Sequence, residues 1–234
     1  MYLVAASTCD DLAELRADGA LWRRVRRYNL PVQLALGAAE RVHPQLRDPA
    51  HAAVLSLAPC WGGSAALHDW IERVGARAQS GTLGNLRINP VHTLHAIDNL
   101  ALSDLALALG NQGYGLGLGS APGQAWAALE LLLERDDAEG LVLAGDHAGP
   151  DRLDAGLGVA LGFARDAREL DGRRARLLAV EREPAPADVH PSASAGLARL
   201  LAALRDGPAG PWSYRVPAAE GDGLDAITLR WELA

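Results

Sequence analysis

The chain has 234 residues and a mass of 24.6 kDa, with 49% hydrophobic and 22% charged residues. That balance describes one globular domain and excludes a disordered tail or a collagen-like repeat. Its 22 basic residues face 29 acidic ones for a net charge of −7, the opposite of what a general phosphate-backbone binder carries. Every basic side chain is Arg, because no Lys occurs anywhere. Schiff-base and Walker-type lysine chemistry are thereby removed. Two cysteines, Cys9 and Cys60, are too few for a disulfide scaffold and lack C-x-x-C spacing, so a reducing cytoplasm is the expected compartment.

In chain order, Met1-Tyr-Leu-Val-Ala-Ala-Ser-Thr reads as a first strand, since acidic Asp10 and Asp11 arrive before a signal-peptide core could form. Between Leu12 and Val42 the apolar positions recur at mixed spacings of three and four, which predicts a helix from about Pro31 to Arg41 with the proline in its first turn. Ala53 to Leu57 reads as a short buried strand, and Ser64 can cap a helix carrying Leu67, Trp70, Ile71 and Val74. A second helix pattern runs from about Val91 to Leu109, with polar interruptions at Asn99 and Ser103-Asp104. Tyr114 to Leu118 follows as a glycine-interleaved strand, then a helix bearing Trp126, Leu129, Leu132 and Leu133, a turn at Asp136 to Glu139, and a buried strand at Leu141 to Gly145. Further strands are expected at Gly156 to Phe163, Ala175 to Val180 and Ala226 to Leu233, with a Pro-rich connection from Glu183 to Pro191 and a helix from Ala193 to Leu204. This alternation argues for a layered α/β domain spanning the whole chain, with a largely buried sheet and no membrane span.

The most informative stretch is Gly113-Tyr-Gly-Leu-Gly-Leu-Gly-Ser-Ala-Pro-Gly123. A strand feeding a tight turn into a helix start is where anions bind and nucleophiles are mounted, because free backbone N–H groups and the helix dipole converge there. The dinucleotide fingerprint would need glycine at Ser120 or Pro122, and the hydrolase elbow would need it at Leu118 and Pro122. Gly113, Gly115 and Gly117 therefore read as close backbone packing. His92 and His95 are three apart on a helix pattern without a further ligand set, so packed histidines are expected and no metal. Asp146-His147 ends a strand, where capping is the expected role. Trp61, Trp70, Trp126, Trp212 and Trp231 read as core or interface anchors.

Several segments together resemble the amino-terminal lobe of the β-ketoacyl synthases, more closely the short chain length factors of that family. Arg26-Arg-Tyr-Asn-Leu-Pro-Val-Gln-Leu-Ala-Leu-Gly-Ala-Ala is similar to an Arg-rich lead into an alanine-rich helix. Asn89-Pro-Val-His-Thr-Leu-His-Ala looks like a Ser-Val-His-Asn segment. Gly119-Ser-Ala-Pro-Gly-Gln-Ala-Trp-Ala-Ala-Leu-Glu resembles the elbow that reads Ala-Cys-Ala-Ser-Gly in condensing enzymes, and Leu141-Val-Leu-Ala-Gly-Asp resembles the strand after it. Their order and spacing over residues 25 to 165 carry the likeness.

The resemblance implies a thiolase-like, layered α/β/α domain with a mixed sheet, and it places Ser120 where a condensing enzyme holds its nucleophilic cysteine. A hydroxyl at a helix start needs a general base that a thiolate does not. The family's paired histidines come from a second lobe that lies beyond this chain's expected extent. A non-condensing subunit is thus implied, with no cofactor, that pairs with a full-length ketosynthase and meets acyl carrier protein indirectly. The expected interface and tunnel residues are Val91, His92, His95, Ala96, Asn99, Tyr114, Leu116 and Leu118. Two alternatives stand beside it: a small serine esterase or acyltransferase using Ser120 with Asp188 and His190, and a homodimeric module that binds acyl groups or carrier protein.

Overall fold

The computed structural model describes residues 1–59, 72, 74–81, 100–119, 123–149, 152–183, 187–189, 192–216, 218–219 and 226–234. The first strand, β1 (Tyr2–Cys9), is followed by α1 (Leu12–Ala17), α2 (Gly19–Val25) and α3 (Leu30–Val42). Three helices thus occupy the region where the apolar spacing singled out one. The reason is local: Asp11 accepts from the Ala13 amide and Asp18 from those of Ala20 and Leu21, so each aspartate caps and restarts a short helix. Asn29 caps α3 through Val32, and Pro31 sits in the first turn as expected.

β2 (Ala53–Leu57) leads by way of α4 (Leu100–Ala108) to β3 (Gly115–Leu118), α5 (Gln124–Glu134) and β4 (Glu139–His147). Ser103-Asp104 does not interrupt α4. The buried Asp104 carboxylate accepts from Arg24 Nε at 2.8 Å and from Tyr28 Oη at 2.9 Å, so its charge is paired inside the helix contact. Burial first, then the Asp104 carboxylate, pushes the Tyr28 phenol up to about 12. Glu139 belongs to β4 and not to the preceding turn. β5 (Gly156–Ala164), β6 (Ala175–Glu183), β7 (Ala187–Val189), α6 (Ala193–Asp206), β8 (Gly210–Arg215), β9 (Ala218–Ala219) and β10 (Ala226–Leu233) complete the order. β7 lies inside the stretch expected as a Pro-rich connection. β8 escaped the sequence reading because its Gly-Pro start resembles a turn, although Trp212 and Tyr214 alternate inward along it. The expected helix after Ser64 lies outside the described residues as far as position 71.

One eight-stranded mixed sheet has the order β3-β2-β4-β5-β1-β6-β10-β8. The β3-β2-β4 unit is parallel and the other pairings are antiparallel. Alternation along β4 sends Leu141 and Leu143 toward α3, and Val142 and Ala144 into the core beneath α5 and α6. The result is an α/β/α sandwich with an apolar core on each face. Trp126 and Trp231 are fully buried, as anchors should be, and Trp212 is half-buried.

α3 lies directly on the sheet. A Cβ at position 158 would overlap Leu34 O and stand 2.7 Å from Ala35 N, and one at position 145 would overlap Pro31 O. No side chain other than glycine fits between helix and strand there. Gly158→Ala should therefore cost about 2–3 kcal/mol by prising α3 off β5. Gly19→Ala, with nothing near its Cβ position, should be neutral or slightly stabilising; urea unfolding of both variants checks the pair.

At the start of β4 the Glu139 carboxylate accepts the amides of Arg47 (3.0 Å) and Asp48 (2.8 Å) and pairs with Arg168. Burial pushes this carboxyl up, but the two amides and the Arg168 guanidinium outweigh it and hold its pKa below the ordinary value. A depressed folded pKa stabilises the protein above the unfolded value near ~4.3, and that contribution is lost as pH falls through the folded pKa. Glu139→Gln should cost about 1–3 kcal/mol at neutral pH. The difference from wild type should shrink below about pH 4 in thermal unfolding followed across pH.

Candidate functional site

The parallel register aligns Leu57 of β2 with Leu118 of β3 and with Ala144 of β4, so the three strands end together. From this end β3 leaves through Gly119 toward the N-terminus of α5. Gly123 occupies the cap position at φ +83° and contributes no side chain, while its carbonyl accepts from the Trp126 and Ala127 amides. A left-handed residue here turns the chain sharply from strand to helix. The first-turn amides of an eleven-residue helix are aimed, with the positive end of its dipole, at the segment before it. The expected strand and helix stand on either side of residues 120–122, which lie outside the described residues. Ser120 lies outside the described residues, as do Val91, His92, His95, Ala96, Asn99 and His190.

Tyr114, Leu116 and Leu118 are placed. All three are half-buried and pack against the core on the α5 side of the sheet. Arg135, just past α5, stands over the Tyr114 ring at 3.5 Å and ties the foot of β3 to the end of the elbow helix. A Cβ at position 113 would meet His51 O at 2.6 Å, and one at 115 would press on Leu102 of α4 at 3.2 Å. Close packing is therefore the role of the first two glycines of the run.

Among the described residues β3 pairs only with β2 and forms one margin of the sheet. Its neighbour β2 is completely buried, whereas Gly115 is exposed and Leu116, Gly117 and Leu118 are half-buried. Beside it runs α4, Leu-Ala-Leu-Ser-Asp-Leu-Ala-Leu-Ala, whose Leu107 is 87% exposed. A short apolar strand without charge or proline, flanked by a helix apolar nearly all round, has the character of a pairing edge, and no further strand among the described residues pairs with it. The exposed Leu107 was not among the residues expected at an interface. The signal was available, because a helix with Ser103 and Asp104 as its sole polar residues has no solvent face to offer.

Asp146 and His147 take separate tasks. Asp146 is buried, and its Oδ2 accepts from Ser192 Oγ at 2.8 Å, Ser194 Oγ at 3.0 Å and the Ser194 amide at 3.1 Å. It caps the start of α6, with Ser192 as the N-cap residue. His147, the next residue on the strand, points to the opposite face by alternation. Its ring is buried, Nδ1 has no hydrogen-bond partner among the described residues, and burial lowers its pKa. The pair therefore does not act as a base with its orienting carboxylate. Among the described residues no group of three or more His, Cys, Asp or Glu side chains could hold a metal ion, and no helix is long and apolar enough to cross a membrane.

No known family profile and no curated protein matches this chain. Among solved structures it is similar to a chain of the ketosynthase (ApeO) in complex with its chain length factor (ApeC) from Xenorhabdus doucetiae. That likeness has a TM-score of 0.58 at 10% identity and covers 98% of each chain. The tetronic acid condensing enzyme AbyA1 aligns over 99% of this chain and 100% of its own at 14% identity, with a TM-score of 0.47. The layered mixed sheet, the elbow after β3 and the full-length match to the ApeO–ApeC structure define a thiolase-like fold of the ketosynthase type. Between β3 and α5 this chain carries Ser-Ala-Pro before Gly123 and no cysteine.

Replacing Asp146 with Ala should remove the acceptor shared by two buried hydroxyls and an amide at the start of α6. The expected loss is about 2–3 kcal/mol in thermal or urea unfolding, and Asp146→Asn should recover part of it.

Proposed function

We propose that this chain is a non-condensing ketosynthase-like subunit of the chain length factor kind, pairing with a full-length ketosynthase and shaping that partner's acyl tunnel. The observation that carries this reading is the apolar β3 margin, unpaired on one side among the described residues, with the exposed Leu107 beside it in a ketosynthase-type fold. A strand edge pairs most readily with another strand, and a glycine-interleaved strand lets a second backbone approach closely. The serine at the elbow supports a subunit that does not condense, because a hydroxyl, unlike a thiolate, is a poor nucleophile without a general base. The segment 91–99, which leads into α4, is then the part that reaches the partner's tunnel, with Val91, His92, His95, Ala96 and Asn99 as lining residues. The growing substrate is a fatty-acyl or polyketide chain delivered on acyl carrier protein, an aryl polyene being one such product.

Native mass spectrometry of the chain affinity-purified from its own host should show a one-to-one complex with a longer ketosynthase. A lone monomer or homodimer would overturn the reading. Leu107→Arg and Leu116→Arg should weaken that association tenfold or more, on the order expected of central interface residues. Leu107→Arg should keep the wild-type circular dichroism and melting temperature, since that side chain is 87% exposed. Ala96→Trp should shorten the products of the reconstituted pair, and unchanged product length would count against the tunnel role.

A further inference from the structure

At the end of the sheet opposite the elbow, β1 and β6 are paired over only Tyr2–Arg176 and Leu3–Ala175. Leu3 stands level with Phe163 and, through it, with Gly140 near the start of β4. The elbow leaves from the other ends of the parallel strands, with β2, β4 and β5 between. Over the short β1–β6 seam lies a cavity of about 230 Å³, smaller than the clefts that hold drug-sized ligands and sized for a smaller molecule. Its walls are Leu3, Leu170, Ala175, Leu201 and Leu204, none of which offers a side-chain hydrogen bond.

The mouth is polar and carries excess positive charge. Arg173 donates through Nη1 to Leu204 O (3.1 Å) and Arg205 O (2.7 Å) and through Nη2 to Gly207 O, which fixes its guanidinium at the C-terminal end of α6. Arg205 reaches across the mouth to Asp171 at 3.5 Å, and both side chains are mostly exposed. Two guanidinium groups against one carboxylate, over an apolar pocket in a chain of net charge −7, select an anion with a hydrocarbon tail.

We propose that this cavity binds a short-chain aliphatic carboxylate, with the tail among Leu3, Leu201 and Leu204 and the head group on Arg205 in place of Asp171. Exchanging one carboxylate for another keeps Arg205 charge-paired, and the displaced contact is an exposed ion pair of little strength. The tail supplies the binding energy, tightening association about fourfold for each added methylene until the pocket is full. The proposal is independent of pairing with a ketosynthase, because no lining residue lies on β3 or α4.

The test uses the whole chain with sodium butanoate, hexanoate and octanoate, and with 1-octanol as the uncharged control. Binding is followed by methyl NMR and calorimetry. Asp171 sits at φ +53° before Gly172, a turn position that Asn occupies readily, so Asp171→Asn keeps the fold while freeing Arg205. The expected result is shifts at the Leu3, Leu201 and Leu204 methyls and affinity rising with chain length. Carboxylates should bind about two- to fivefold more tightly to Asp171→Asn, and more weakly to Arg205→Gln, while octanol is unchanged by either. Absence of methyl shifts with millimolar octanoate, shifts confined to residues elsewhere, or carboxylate binding indifferent to both substitutions would each overturn the proposal.

Discussion

The backbone of α3 rests on β4 and β5 at Gly145 and Gly158, and the rest of the architecture depends on that contact. A helix this close to a sheet has almost every position covered, which is why ten of its thirteen residues are buried. It also fixes β4 and β5 as the centre of the sheet, with one core beneath α3 and a second beneath α5 and α6. With the centre committed, the parallel β3-β2-β4 unit extends outward and leaves β3 at the margin.

Three buried carboxylates hold this arrangement in register, and each sits where an apolar side chain could not do the same work. Glu139 gathers two backbone amides and Arg168 at the start of β4. Asp146 gathers two hydroxyls and an amide near its end. Asp104 joins Arg24 and Tyr28 and so ties α4 to the helices beside it. A buried charge is tolerable only when every such partner is supplied, so these clusters also specify which segments must meet. Through Asp104 the position of α4 is set by α2, far away in sequence, and α4 in turn abuts the glycine face of β3.

The two ends of the sheet offer different chemistry. At the end where β2, β3 and β4 finish together, α5 begins at the left-handed Gly123 beside the apolar β3 margin. At the other end, the last turn of α6 and the Leu170–Arg173 turn enclose a greasy cavity with an arginine-rich mouth. The first is an apolar margin of the kind on which another strand can pair. The second suits a small amphipathic anion. Their separation across three strands keeps occupancy of one from obstructing the other.

Much of the fold was legible because its signals are local. Ala53–Leu57, the Trp126–Leu133 periodicity, Leu141–Gly145 and Ala226–Leu233 each declare their element within a few residues, and the alternation of strands and helices then implies layers on a sheet. The elbow was legible for the same reason, since Gly113 to Gly123 combines a strand and a turn that must precede a helix. Asp11 and Asp18 were readable as caps but lay within an apolar spacing that suggested fewer helices. Asp104, taken for a break in a helix, became a buried partner of Arg24 and Tyr28, which lie about eighty residues away. The sequence by itself determined the element types, the absence of lysine chemistry and the missing elbow cysteine, because those depend on residue identity and short-range periodicity. Tertiary structure alone decided that β3 is an edge, that Asp146 and His147 face apart, and that Leu3, Leu201 and Arg205 share a cavity. These follow from strand order and register, which are set by burial and pairing between segments that no local pattern connects.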